Sequence, residues 1–149
     1  MKSKAAVIFL LCCIIAVIVL AVLISQSRSY PSVFGNSEFE APNVDFLAQF
    51  QSDARKLVCT IINNNDDEIT YGPEYYLEKE KDGKWYEVTD IYGKRADEKS
   101  WTAVAYTAPA HGKDAFTISL ANFKPLSKGN YRVAKRTSVG SIFAYFQVE

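Results

Sequence analysis

The chain has 149 residues, 17 of them basic and 17 acidic, with one histidine and three cysteines. That length suits about one domain, and the balanced charge leaves no basic footprint of the kind that marks a nucleic-acid binder. An aromatic content of 13% with few glycines and prolines excludes a disordered chain and points to a folded, β-rich one.

Residues 1–4 are a short basic stub holding Lys2 and Lys4, expected in the cytoplasm. Ala5 to Ile24 follows as AAVIFLLCCIIAVIVLAVLI, with no charged or strongly polar side chain. About 20 helical residues match a hydrocarbon core of roughly 30 Å, so 5–24 reads as a single transmembrane helix. The lysines before it favour an N-terminus inside and the remainder outside. A cleaved signal peptide is the rival reading, with Ser25 and Ser27 offering small residues for cleavage near Ser27 and secretion of the rest. Cys12 or Cys13 as a lipid-attachment cysteine is disfavoured, because Leu11 or Cys12 then stands where a small residue is needed. On either main reading the rest of the chain is exported. Residues 25–38, rich in Ser with Pro, Gly and Asn, read as a linker that tethers the domain 39–149.

Short β-type runs separated by turn signals then succeed one another. Phe46 to Phe50 is a first strand or a lead-in. Lys56 to Ile62 (KLVCTII) is β-branched and stops at Asn63-Asn64-Asn65-Asp66-Asp67. Gly72-Pro73 interrupts the next run, leaving Tyr75 to Lys81 as its strand. Asp82-Gly83 suits a type I′ hairpin turn into Lys84 to Val88. This pairs Glu80 with Trp85, and sets Trp85, Tyr76, Glu78 and Glu80 on one face with Tyr75, Leu77, Tyr86 and Val88 on the other. Trp101 to Thr107, Ala115 to Leu120, Tyr131 to Lys135 and Ile142 to Val148 complete about seven strands.

The stretches Tyr76 to Val88 (YLEKEKDGKWYEV) and Leu126 to Lys135 (LSKGNYRVAK), with a terminal aromatic strand, resemble the bacterial Ig-like domain of exported and membrane-attached proteins of Gram-positive bacteria. The resemblance covers 39–149 and implies an all-β, immunoglobulin-like sandwich on the cell surface, without catalytic activity, cofactor or defined ligand. Leu126, Gly129, Tyr131 and Val133 also match tyrosine-corner spacing, in which a Tyr bonds back to the preceding loop and a cysteine normally sits two residues on. Val133 occupies that place, so Cys59 is expected as a buried, unpaired thiol packed against it.

No catalytic constellation emerges. His111 lies in a turn with no nucleophile motif nearby, Cys59 lies mid-strand where burial suppresses the thiolate, and Asn63 to Glu68 lacks calcium-loop spacing. No metal site is expected. Trp85 and Tyr76 on the hairpin, with Phe143 and Tyr145 on the last strand, form a partner-binding surface if nothing covers them. The last strand is also a place for a partner chain to pair edge-on. The function expected is that of a non-catalytic surface interaction or structural module on a single-pass anchor, meeting a protein or cell-envelope partner. The alternative is an envelope sensor or inhibitor of a protein partner.

Overall fold

A computed structural model describes residues 8–19, 29–35 and 40–149. Residues 8–19 are helical with exposed side chains. No helix among the described residues is long and apolar enough to cross a membrane. The flanks of the apolar run, the 1–4 stub, the serines near the expected cleavage point and much of the 25–38 segment lie outside the described residues.

The described residues from 29 onward hold ten strands in two sheets. The smaller sheet is β2 (Val44–Gln51), β3 (Lys56–Asn63) and β8 (Gly112–Ser119), with β3 central. The larger sheet starts from β1 (Tyr30–Pro31), β6 (Lys84–Glu87), β5 (Tyr76–Lys81) and β9 (Gly129–Thr137). β9 pairs on its other side with β10 (Gly140–Val148). Beyond the end of β5, β9 meets β4 (Ile69–Tyr71), which pairs with β7 (Tyr106–Ala108). All the pairings between these strands are antiparallel, as in a sandwich whose sheets alternate core-facing and outward residues.

The count exceeds seven for physical reasons. Gly72-Pro73 splits one strand into β4 and β5, because proline cannot donate to the ladder. Both halves still run beside β9, through Tyr71↔Thr137 and Tyr76↔Ala134. The expected strand Trp101 to Thr107 is a correction: only Tyr106 onward is paired. Trp101 instead donates its indole N–H to Ala96 O at 2.9 Å and packs edge-on against Tyr75 at 5.3 Å. Part of the stretch read as a linker lies on the domain. Tyr30–Pro31 adds β1 to the edge of β6, and Phe34 is buried.

Between the sheets sit Phe46, Leu57, Cys59, Ile61, Leu77, Ile118, Tyr131, Val133 and Ile142, among others. Cys59 and Val133 are both fully buried in this core, and Cys59 is a free thiol. Burial pushes the thiol up to about 12, with nearby Lys135 pulling the other way, so it has no reactive thiolate at neutral pH. The tyrosine corner is made: Tyr131 donates its hydroxyl to Ser127 O at 2.7 Å.

Lys135 also points into this core and is 1% exposed. Its Nζ donates to Gly72 O at 2.8 Å and Glu74 O at 2.7 Å. These are carbonyls freed where β4 breaks from β5, and a buried carbonyl left without a donor is costly. Desolvation lowers the Lys135 ammonium to about 8, opposed by the Glu74 carboxylate and by Cys59.

Candidate functional site

The outer face of the larger sheet carries the residues singled out by sequence. The Asp82-Gly83 turn has positive φ at both positions, 52° and 72°, as a type I′ turn requires. It sets Glu80 opposite Trp85 and Lys79 opposite Tyr86. The β9–β10 hairpin sets Arg132 opposite Tyr145 and Ala134 opposite Phe143. Strand pairing thus aligns Tyr76, Ala134 and Phe143 in one row and Glu78, Arg132 and Tyr145 in the next.

Two of the four aromatics are covered. Phe34, from the segment that carries β1, stands edge-on to Tyr76 at 4.9 Å and to Phe143 at 5.6 Å. Together with Ala96 and Ala134 these rings form a second hydrophobic cluster, in which Tyr76 is 3% and Phe143 5% exposed. Ala96 belongs to a short 3-10 turn (Ala96–Glu98) in the loop after β6. Its N–H is held by Glu87 Oε1 at 2.5 Å. Burial raises the Glu87 carboxyl above its ordinary range, and that N–H partly offsets the rise.

Beside this cluster lies a fully buried ion pair. Arg132 Nε donates to Glu78 Oε2 at 2.6 Å, both side chains being 0% exposed. Arg132 Nη2 donates to Gly35 O at 2.7 Å and to Ser32 Oγ at 3.2 Å, which ties the 29–35 segment to the sheet. The guanidinium lies between two rings, 4.6 Å from the centre of Trp85 and 4.5 Å from that of Phe143. Such cation–π contacts gain strength when desolvated.

The other two aromatics remain open and meet. Trp85 is half-buried, Tyr145 is 53% exposed, and their rings stand 5.6 Å apart at 58°. Trp85 divides two shallow clefts. One, of about 350 Å³, has Glu80, Asn130, Tyr145 and Gln147 in its lining, and Asn130 Nδ2 donates to Glu80 Oε2 at 2.9 Å. The other, of about 280 Å³, is lined by Pro31, Ser32, Gly35, Lys84 and Trp85. The sequence reading named Trp85 and Tyr145 but not Asn130 and Gln147, which line the same cleft. These residues pair across the β9–β10 hairpin, a register that the Thr137-to-Gly140 turn could have supplied.

The remaining candidates are set apart from the ledge. His111 adopts φ 49° in its turn, and its exposed Nε2 lies 2.9 Å from Asp66 Oδ1. The Asn63-to-Glu68 loop is organised by Asn63, whose amide donates to Asp67 O, Ala108 O and Pro109 O at 2.9–3.2 Å. Among the described residues no group of three or more acidic, histidine or cysteine side chains is placed to hold a metal ion.

No curated protein matches the chain. A family model described as the bacterial Ig-like domain matches residues 47–147, a span from within β2 to the next-to-last residue of β10 that takes in strands of both sheets and the tyrosine corner. Domains of this kind are generally non-catalytic modules of surface type. By its matched span and by its two-sheet architecture, the chain belongs to the bacterial Ig-like domain family.

Proposed function

We propose that this protein is a non-catalytic binding module held on the outer side of a bacterial cell membrane by residues 5–24, with the Trp85–Tyr145 ledge as its contact surface. The observation that carries the reading is the ledge. It is the part of the outer face where large aromatic side chains stay open beside the covered Phe34 cluster, and aromatic anchors are enriched at binding sites. The buried Arg132 beneath Trp85 holds the indole in place before any partner arrives, which lowers the ordering cost of binding. The apolar composition of residues 5–24 and the lysines before them support the anchor and its orientation.

The test is cell fractionation followed by intact-mass measurement and protease shaving of whole cells. The expected result is a full-length chain in the membrane pellet, with the Ig-like domain removed by external protease. A shortened chain in the medium, beginning near Arg28, would replace the anchored form with a secreted one. Protection of the domain in intact cells would reverse the orientation.

A further inference from the structure

We infer that the Trp85–Tyr145 ledge is a subsite for a neutral polysaccharide chain, an assignment that rests on the reading of the domain as a binding module. The ledge combines two features such a ligand requires. Trp85 and Tyr145 offer open aromatic surface at the solvent boundary, apolar area against which the C–H face of a pyranose ring can stack. Around it stand planar side chains that both donate and accept: Asn130 and Gln147, with the Glu80 carboxylate already bonded to Asn130. Ser32 and Lys84 continue the polar lining beyond the indole. Amide and carboxylate groups of this kind match adjacent hydroxyls, each of which donates and accepts. Glu80 and Lys84 supply one charge of each sign, so the surface is matched to a ligand without net charge. Open clefts on both sides of Trp85 favour a chain that crosses the indole over a small molecule that needs enclosure.

An extended peptide fits the Trp85 side of this ledge less well. Strand addition needs an unpaired backbone edge, and the β6 edge beside Trp85 is already occupied. Tyr30 and Pro31 pair with Glu87 and Tyr86, and Ser32 N–H donates to Trp85 O at 2.9 Å. Recognition at the indole must work through side chains. On the Tyr145 side, β10 has β9 as its strand partner among the described residues, apart from a bridge at Ser141, so a peptide adding to that edge is the competing outcome that the peptide probe reads.

The inference can be tested on the full chain in detergent by fluorescence titration. Trp101, which lies apart from the ledge against Tyr75, is replaced by Phe so that Trp85 is the sole reporter. Chitohexaose and cellohexaose are the neutral probes, dextran sulfate is the anionic one, and the hexapeptide Tyr-Pro-Ser-Val-Phe-Gly is the peptide one. A saturable change with a neutral oligosaccharide is expected, weakened about tenfold or more by Tyr145→Ala and retained in Tyr145→Phe, which keeps the ring. Gln147→Ala should weaken binding severalfold without changing the thermal midpoint. Calorimetric titration of the unmodified chain provides the same readout if Trp101→Phe does not fold. No saturable response to either neutral probe, or an equal response in Tyr145→Ala, would overturn the assignment. So would a response confined to dextran sulfate or to the peptide. Fractionation decides export and anchoring separately, so failure of this inference leaves a distinct signature from failure of the functional reading.

Discussion

The two faces of the larger sheet are closed in different ways, and each has a cation inside. The inner face is covered by a second sheet, so apolar side chains meet apolar side chains. Lys135 is spent there on the Gly72 and Glu74 carbonyls at the break between β4 and β5. The outer face is covered by the 29–35 segment and the loop around Ala96. An irregular segment brings backbone carbonyls that no ladder satisfies, and Arg132 answers the one from Gly35. The comparison shows a common rule: where regular pairing lapses over a buried face, a long cationic side chain caps the stranded carbonyl. It also shows why the two cations differ. Arg132 has a buried carboxylate partner in Glu78, and arginine keeps its charge in proteins. Lys135 is bonded to carbonyls, and its charge is held against desolvation.

The strongest way to break this picture is Arg132→Ala, which strands the buried Glu78 carboxylate. Removing one partner of a buried pair costs about 3–5 kcal/mol, so urea unfolding should show a loss of that size. A loss below about 1 kcal/mol would mean that the pair is solvated and that the segment over it is not a true cover. Phe34→Ala probes the same cover from its apolar side. Truncating a buried Phe costs about 3 kcal/mol or more, and the loss should be accompanied by new exposure of Tyr76 and Phe143, read as dye binding. If Phe34→Ala unfolds with unchanged stability, residues 29–35 are an appendage.

The inner face is sharpened by pH. The Lys135 ammonium lies at about 8 in the fold, below its ordinary 10.5. Between those values the unfolded chain binds more protons than the folded one, so this residue makes stability rise with pH. Cys59 acts in the opposite sense above its ordinary value of 9, because the folded thiol keeps its proton up to about 12. The thermal midpoint should therefore climb from pH 7.5 to 9 and then level or fall, and Lys135→Met should remove the climb. A climb that survives in Lys135→Met would assign it to another group. The smallest effect expected is Tyr131→Phe, which removes one hydrogen bond to Ser127 O and should cost about 1 kcal/mol. Thiol reagents should label native Cys59 only at the rate of unfolding, and fast labelling would disprove its burial.

Much of the inner face was legible in the sequence. Alternation in Lys56–Asn63, the Asp82-Gly83 turn and the Tyr131 spacing are local signals, and each fixes register within a few residues. The expectation that Cys59 and Val133 share one core came from the tyrosine-corner pattern of Ig domains, and both are buried there. The outer face was only half legible. Alternation correctly put Trp85 with Tyr76 and Phe143 with Tyr145, but it could not say that Phe34 covers one end of that row and leaves the other open. That cover is built from a Ser-rich stretch with no strand pattern, held by contacts about 100 residues away in sequence from Arg132. Trp101 to Ala105 misled for the converse reason. Its β-type composition serves one anchoring indole, and composition cannot distinguish that from a paired strand.

The 29–35 segment also bears on where this domain begins. The family match starts at residue 47, well after Phe34 and Ser32 have taken their places on the sheet. A fragment cut to that boundary would bare Tyr76 and Phe143, leave Arg132 without two of its acceptors, and strip one wall from the cleft beside Trp85. The packed module therefore includes residues 29–35. In the intact chain, residues 29–35 are masonry of the module itself, so a pull on them is transmitted directly to the sheet that carries Trp85 and Tyr145.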